Sequence, residues 1–507
     1  MNLHFQPLKR NEQDRIPTHA YGRFDHAELS DDGSTALVAF DLVDADWLTM
    51  VGYENEMFSL EGLPGQANIW RQFTQRQQHE HPQKPFDNMP VYRLEIELSA
   101  SGDWFGLPAL GGVANPDMET LEKTWIDFHF IPPGNGDGEH SGTKGSVYTR
   151  MFEESLTLMV HGTLAPAPMA RSLSIIFSLD RLPRINQADF ENLLGNEVLA
   201  EWLVVFDVGQ GNACALLEAC DQNQNATAPR LYFDLGAGVY RNKQTQPPNL
   251  QFSFYSNPLV VLSHWDSDHW AGANLVDVDG NYPALGLTWI APSQKVGPTH
   301  IAFVNGVIAA HGKVLIYDPP APSTVGAVTL GDKRRIRFMC GTGSGRNNSG
   351  LVMTVENTEK EVARSWILTG DCDYEYFVKD LTPELPVALI APHHGANLST
   401  TDAPRFDLYN AYRRLVYSFG QNNKHGKTKV RHPTYNGVMA HHRGNWKEDG
   451  WNVNDPGLVL ATDDVRSTCE HTNSNNRGGI LIGWDEPQQQ IDLIRTFKTF
   501  ITPTTQS

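Results

Sequence analysis

The chain has 507 residues and a formal net charge of −19, with 40% hydrophobic and 20% charged residues. This length predicts two or three domains, and the acidic balance argues against a basic surface that binds long duplex DNA. It does not exclude a metal-centred site that handles phosphate groups locally. Five scattered cysteines favour free thiols over a disulfide framework. Because no apolar run fits a signal peptide or a membrane span, we expect a cytoplasmic protein with no membrane partner.

Residues 1–185 are predicted to form a β-rich domain. Residues 91–98 alternate apolar and polar side chains, as a half-buried strand does. We predict further strands at residues 125–131, 156–160 and 173–177, separated by connectors rich in proline and glycine. The role of this domain does not follow from its sequence.

A helix is predicted next, with Asn186 as its N-cap and an end near Trp202. Phe190, Leu194 and Val198 recur at roughly helical spacing along it. We place the domain boundary in this stretch, with residues 186–200 as a connecting helix and residues 201–500 as a second domain.

The second domain is predicted to begin with a strand, a Gly-Gln-Gly turn and another strand over residues 201–216. Asp207 follows the first of these strands, and Asp234 ends a later strand at residues 231–235. Both acids have two readings: they orient ligand histidines, or they cap nearby turns.

The densest group of potential metal ligands follows the apolar run at residues 259–262. His264, Asp266, Asp268 and His269 lie within six residues of one another. A loop after a buried strand can direct all four to one centre, whereas a helix or strand would divide them between faces. Mixed His and Asp ligands suit a catalytic site with two metals better than a structural zinc site. The alternative is a solvated polar loop.

Two more apolar strands end in potential ligands. The strand near residues 366–370 leads to Asp371, and the strand near residues 387–391 leads to His393 and His394. The ends of neighbouring strands lie side by side in a sheet. We therefore expect three strand ends, the first of them more than a hundred positions before the other two, to converge on one site.

Six segments in this order resemble the metallo-β-lactamase fold superfamily, and within it the hydrolase domain of ComEC-type competence (DNA-internalisation) proteins. The resemblance spans about residues 200–495 and is carried by residues 206–211 (FDVGQG), 262–269 (LSHWDSDH), 368–371 (LTGD), 392–395 (PHHG), 418–426 with 432–433, and 477–480 (RGGI). Asp266 stands where the wider superfamily has histidine, as is common in the competence-type branch. The segment 427–431 is an insertion relative to that branch.

The resemblance implies an α+β protein with a four-layered αββα metallo-β-lactamase fold, to which residues 1–185 add a β-rich domain. It implies two divalent cations, zinc or manganese with magnesium as a further alternative. His264 and Asp266 would hold one cation, Asp268, His269 and either His393 or His394 the other, and Asp371 would bridge them. The catalytic and substrate-binding positions implied are Asp268 and His425 for catalysis, and Asn423, Lys424 and His432 for the substrate.

The function expected from these features is a metal-dependent phosphodiesterase or nuclease that acts on DNA or nucleotides through a metal-activated water. The charge balance favours single strands, short pieces or small nucleotides over long duplex. One alternative is hydrolysis of an ester, lactone or amide bond, since the fold does not decide the bond. Another is a regulated effector, for example in bacterial defence, whose N-terminal domain binds a protein partner.

Overall fold

The computed structural model describes most of the chain, in two compact units. The described residues are 1–7, 16–30, 34–49, 86, 89–99, 118–132, 142–195, 200–218, 228–248, 250–277, 279–331, 333–359, 361–383, 385–396, 403–405, 412–421, 423, 432–446, 465–469 and 479–485. The first unit contains the described parts of residues 1–182 together with residues 295–310. The second contains those of residues 183–294, 311–423 and 431–507.

The first unit is built on a closed antiparallel barrel with the strand order β1-β2-β3-β5-β6-β4. Its strands are β1 His19–Leu29, β2 Thr35–Asp44, β3 Val91–Ser99, β4 Trp125–Ile131, β5 Thr143–Tyr148 and β6 Leu156–Leu164. Alternate residues such as Val38, Phe40, Leu94 and Phe128 point inward and form its apolar core. The strands predicted at residues 91–98, 125–131 and 156–160 are confirmed.

The first unit includes the helices α1 Met118–Lys123, α2 Ala167–Ile176 and α4 Pro298–Ala309. The strand predicted at residues 173–177 is wrong, because most of this stretch lies in α2. Leu173 and Ile176 are buried three positions apart, which is a helical period, and a proline lies in the first turn. Helix α4 comes from the middle of the chain. The sequence did not predict that this stretch belongs to the first unit.

The second unit contains two mixed sheets, one of eight strands in the order β21-β8-β9-β10-β11-β12-β13-β7 and one of seven, β14 to β20 in sequence order. The eight are β7 Arg184–Ile185, β8 Trp202–Phe206, β9 Ala213–Leu217, β10 Leu231–Leu235, β11 Leu259–Val261, β12 Thr288–Pro292, β13 Lys313–Tyr317 and β21 Gly479–Ile482. The seven are β14 Gly326–Leu330, β15 Arg334–Cys340, β16 Leu351–Asn357, β17 Arg364–Leu368, β18 Pro386–Ile390, β19 Arg414–Tyr417 and β20 Val465–Ser467. The helices are α3 Gln187–Gly195, α5 Gly345–Asn348, α6 Val378–Leu381 and α7 Tyr435–Arg443.

The two sheets of the second unit pack face to face. Phe233 and Val261 of the first sheet share one buried cluster with Ile336, Val355 and Trp366 of the second. A separate cluster joins other residues of the seven-stranded sheet to Leu381 of α6 and Val438 of α7. The described residues thus show two β layers with helices against one of them, and the full four-layered arrangement stays a prediction.

Helix α3 begins where the sequence predicted and ends earlier. The side chain of Asn186 accepts a hydrogen bond of 3.0 Å from the backbone N–H of Asp189, as an N-cap does. The helix ends at Gly195, and Phe190 and Leu194 are buried in the core of the second unit. By its packing, this helix belongs to the second unit.

Parallel pairing brings the polar strand ends to shared sheet edges. Strand β10 pairs in parallel with β11, and β17, β18 and β19 are parallel neighbours. Parallel strands end at the same edge, so Asp234 lies close to the loop after β11, and Asp371 lies close to the His393–His394 pair. No helix in the described part of the chain is long and apolar enough to span a membrane.

Candidate metal centre

The loop after β11 presents His264 and His269 at the centre of the second unit. Both rings are fully buried and lie 4.1 Å apart. The loop is held by backbone hydrogen bonds, one from the N–H of Leu351 to the carbonyl of Ser263 (2.7 Å) and one from the N–H of Asn212 to the carbonyl of Asp268 (3.2 Å). The histidines are therefore presented by a fixed backbone.

Glycines allow neighbouring strands to approach this loop closely. A Cβ atom on Gly236 would lie only 1.9 Å from the carbonyl oxygen of Asp268, and one on Gly211, in the Gly-Gln-Gly turn, would lie 2.6 Å from it. The glycines near the site therefore leave room for the loop after β11.

Asp371 lies between the two loop histidines. Its Oδ1 atom is 3.1 Å from Nε2 of His269, and its Oδ2 atom is 3.6 Å from Nε2 of His264. Gly370, in the left-handed region at φ +53°, turns the chain directly before it. Asp371 thus has one oxygen near each histidine, which is the arrangement expected of a bridging carboxylate.

His393 and His394 face different parts of the site, and both have left-handed backbone, with φ of +47° and +54°. Nε2 of His394 lies 3.1 Å from Oδ2 of Asp268, and its ring lies 5.6 Å from that of His269. Nε2 of His393 lies 3.8 Å from Oδ2 of Asp371, the atom that also faces His264. Two groups result: Asp268, His269 and His394 in one, and His264, His269 and Asp371 in the other.

Asp234 holds the orientation of the two histidines of the loop after β11. Its carboxylate accepts hydrogen bonds from the backbone N–H of Ser263 (2.6 Å), the hydroxyl of Ser263 (2.8 Å), the amide of Asn212 (2.9 Å) and Nδ1 of His269 (2.8 Å). The hydroxyl of Ser263 in turn lies 3.0 Å from Nδ1 of His264. Asp234 therefore fixes the Nδ1–H tautomer of His269 and turns its Nε2 toward Asp371.

Asp207 has a different set of contacts. One of its carboxylate oxygens accepts a hydrogen bond of 3.2 Å from the backbone N–H of Gly209. This contact caps the Gly-Gln-Gly turn, as the second reading of this residue expected.

The donor atoms suit a bound cation. Nε2 of His264, Nε2 of His269 and Oδ1 of Asp371 are buried and have no hydrogen-bond partner among the described residues. Nδ1 of His394 donates to the carbonyl of Ser418 (2.7 Å), so a neutral ring turns the lone pair of Nε2 toward the Asp268 carboxylate. Lone pairs of nitrogen and oxygen facing each other at this distance require a proton or a metal cation between them.

The electrostatics of the site follow from this crowding. Burial by itself would raise the pKa of the Asp371 carboxyl, but the nearby imidazoles, led by His269 and His393, hold that pKa well below its usual range. Burial would likewise lower the pKa of His269, but the carboxylates of Asp371, Asp234 and Asp268 outweigh it and hold that pKa well above 6.5. Each group is thus stabilised in its charged form by the other, because opposite charges attract strongly where water is excluded.

Arg346 is a charged residue of the site that sequence reasoning missed. Its Nε atom lies 3.0 Å from Oδ1 of Asp266, and the side chain is only 5% exposed. Asp266 also lies 3.5 Å from Nε2 of His264 through its other oxygen. An arginine directly before the polar residues 347–349, in an acidic protein, was the available signal.

The predicted substrate residues are only partly described. The amide of Asn423 donates to the carbonyl of His432 (2.6 Å), and its oxygen accepts from the N–H of His432 (3.1 Å). The ring of His432 lies 5.2 Å from that of His393. Asn423 thus positions His432 beside the site, and Lys424 and His425 lie outside the described residues.

Comparison with known proteins gives only a weak likeness to a solved structure. No family model matches the sequence, and no curated protein matches it significantly. Among solved structures, human tRNase Z, short form, matches at 13% identity and a TM-score of 0.23, over 38% of this chain and 76% of that chain. A likeness of this extent carries no argument about function.

Proposed function

We propose that this protein is a divalent-metal-dependent hydrolase that cleaves phosphodiester bonds in DNA or nucleotides. The observation that carries the proposal is the set of buried atoms on His264, His269 and Asp371 that have no hydrogen-bond partner within the described part of the chain. An imidazole nitrogen and a carboxylate oxygen that are buried together without a hydrogen bond between them are costly unless a cation binds there. The sequence resemblance to the metallo-β-lactamase superfamily supports the same proposal.

The residues divide into two ligand groups with one shared carboxylate. His264 and Asp266 would hold one cation, with His393 on the same side of Asp371. Asp268, His269 and His394 would hold the other. Asp371 would bridge them, since its two oxygens face different histidines. Bound cations would lower the pKa of a water molecule and offset negative charge on the attacked group.

The charge of the site favours an anionic substrate. The three ligand carboxylates Asp266, Asp268 and Asp371 carry three negative charges, which two divalent cations more than balance. The buried guanidinium of Arg346 beside Asp266 adds a further positive charge. A phosphodiester fits this excess of positive charge better than a neutral ester, lactone or amide does. The carboxylate at position 266 favours manganese or magnesium over zinc at that subsite.

The test combines metal content with a substrate panel. The full chain is freed of metal with a chelator and reloaded with Zn²⁺, Mn²⁺ or Mg²⁺. It is then assayed on single- and double-stranded DNA, cyclic dinucleotides, a model phosphodiester, a lactone and a thioester. We expect metal-dependent cleavage of at least one of these, abolished in His269→Ala. Turnover of a lactone or thioester with no phosphodiester cleavage would replace the proposal with the other hydrolase class. Divalent-metal binding by the folded chain that is unchanged in His269→Ala would overturn it, as would failure to bind any divalent metal.

A further inference from the structure

A row of histidines crosses the outer face of the barrel in the first unit. His19 on β1 is the register partner of His129 on β4, and His129 is the register partner of His161 on β6. Directly opposite residues of antiparallel strands point to the same face of the sheet, with Cβ atoms about 5 Å apart. Asp127 lies two positions before His129 and therefore on the same face.

The side chains of three of these residues converge. Nε2 of His19 lies 2.7 Å from Oδ1 of Asp127, and Nε2 of His129 lies 3.4 Å from the same oxygen. The two imidazole rings are stacked, with centroids 4.4 Å apart and planes 7° from parallel. The ligand atoms of all three residues lie within 4.8 Å of one another.

The spacing of these ligand atoms approaches that of a tetrahedral shell, but the nearly parallel rings direct their lone pairs side by side, so the exposed His129 ring must rotate for both to reach one cation. Zinc binds imidazole nitrogen and carboxylate oxygen at about 2.0–2.2 Å, so neighbouring ligand atoms in a tetrahedral shell lie about 3.3 Å apart. The two nitrogen–oxygen distances of the cluster fall on either side of this value. We propose that His19, Asp127 and His129 bind a divalent transition-metal cation of the zinc class.

The simpler alternative is an ion pair on the surface of the barrel. It would place a positive charge on at least one imidazole of a closely stacked pair, and charging both would set like charges face to face. Neutral imidazoles relieve that repulsion, and the neutral ring is the form that binds metal. A cation also satisfies both nitrogens and the shared oxygen at once, which one proton cannot do.

The chemistry of the donors selects the ion. Two imidazoles and one carboxylate favour zinc, copper and nickel over calcium or magnesium, which prefer oxygen ligands. Three protein ligands leave a fourth position open to solvent, and His129 is more than half exposed. The site lies in a different compact unit from the candidate metal centre, so it does not rest on the proposed function.

The test is a calorimetric titration of Zn²⁺ into the metal-free full chain. The site variant is the double substitution His19→Gln with His129→Gln. The matched control is His161→Gln, which removes an exposed histidine of the same face that is not part of the three-residue cluster. We expect the parent and the control to bind one more equivalent of Zn²⁺ than the double variant. Asp127→Asn should weaken that binding step by roughly tenfold or more.

Equal stoichiometry in the parent and the double variant would overturn the proposal, as would loss of the equivalent in the His161→Gln control. Thermal melting in excess chelator checks folding, and all variants should melt with the parent because the substituted side chains lie on the outer face. If the double variant melts at a lower temperature than the parent, the proposal requires that His129→Gln alone bind one equivalent of Zn²⁺ fewer than the parent.

Discussion

Oδ2 of Asp234 lies 2.8 Å from Nδ1 of His269, on the opposite side of the ring from Asp371. This contact joins the end of β10 to the ligand loop after β11, the strand with which β10 pairs in parallel. It fixes which nitrogen of His269 faces the candidate metal centre. A residue that would never touch a substrate thus determines the geometry of one that would hold a cation.

Asp234→Asn should weaken metal binding without unfolding the chain. Asp234 has a φ of +61°, and asparagine is one of the few residues that tolerates this region. The amide lacks the charge that holds the His269 tautomer, so we expect a loss of about 10- to 100-fold in metal affinity. Calorimetry on the metal-free protein measures it, with Asp277→Asn at an exposed turn as the control. An affinity equal to that of the parent would contradict the role given to Asp234.

His393 and His394 should differ in their effect on metal binding. His394 is buried, and its Nε2 lies 3.1 Å from the Asp268 carboxylate. His393 is partly exposed, and its Nε2 lies 3.8 Å from the Asp371 carboxylate. Replacing a residue that only supports a ligand typically lowers metal affinity by about 10- to 100-fold. We expect His394→Gln to lower the affinity by more than this, and His393→Gln to lower it by no more than this. Titration of Mn²⁺ into both variants decides, and the reverse order would exchange the two assignments.

Gly236→Ala should disrupt the centre through the backbone alone. The new methyl carbon would lie 1.9 Å from the carbonyl oxygen of Asp268, so the ligand loop must shift. We expect a loss of about 3 kcal/mol in the free energy of unfolding, together with weaker metal binding. Gly280→Asn is the control, because nothing lies within 4 Å of that position and asparagine tolerates its φ of +78°. Urea unfolding and metal titration should show both losses in Gly236→Ala and neither in Gly280→Asn.

Arg346→Met should destabilise the metal-free protein more than the metal-loaded one. The substitution removes a buried guanidinium from beside the buried Asp266 carboxylate. Removing one member of a buried ion pair is expected to lower the free energy of unfolding by about 3 kcal/mol, because the other charge stays buried without its partner. A bound cation would replace part of the missing positive charge, so added Mn²⁺ should narrow the difference in melting temperature between variant and parent. An equal difference with and without Mn²⁺ would show that Asp266 does not serve a cation.

The stability of the chain should fall in mild acid because of His441. Burial lowers the pKa of this histidine from its usual value of 6.5 to about 3, and its nitrogens lie 2.7 Å from the hydroxyl of Tyr374 and 2.8 Å from that of Tyr417. Between these two pKa values the unfolded chain binds a proton that the folded chain does not. The stabilisation is therefore complete above about pH 6.5 and declines by about 1.4 kcal/mol per pH unit as the pH falls toward 3.

His441→Gln tests this dependence, because glutamine keeps hydrogen-bonding groups and does not titrate. Urea unfolding in excess chelator at about pH 7 and about pH 5.5 should show the parent losing about 1 kcal/mol more than the variant. His442→Gln, at the exposed neighbouring position, should follow the parent. If the parent and His441→Gln lose the same free energy of unfolding between these two pH values, the acid sensitivity comes from other groups.

Much of the second unit was predictable because its strands are apolar runs that end in polar residues. The runs before Asp234, His264, Asp371 and His393 are strands β10, β11, β17 and β18. Parallel pairing brings the carboxyl ends of neighbouring strands together, so residues distant in the chain were expected to meet, and they do. The prediction at residues 173–177 failed because a short apolar stretch does not distinguish period two from period three to four.

The sequence alone determined the types of ligand and the strand ends that carry them, since hydrophobic periodicity and side-chain chemistry are local properties. Only the tertiary structure decided which atoms face each other. It assigned His394 to Asp268 and His393 to the far oxygen of Asp371, paired Arg346 with Asp266, and stacked His19 on His129 across two barrel strands. Such contacts depend on backbone dihedral angles and strand register, which distant packing fixes and no local pattern encodes.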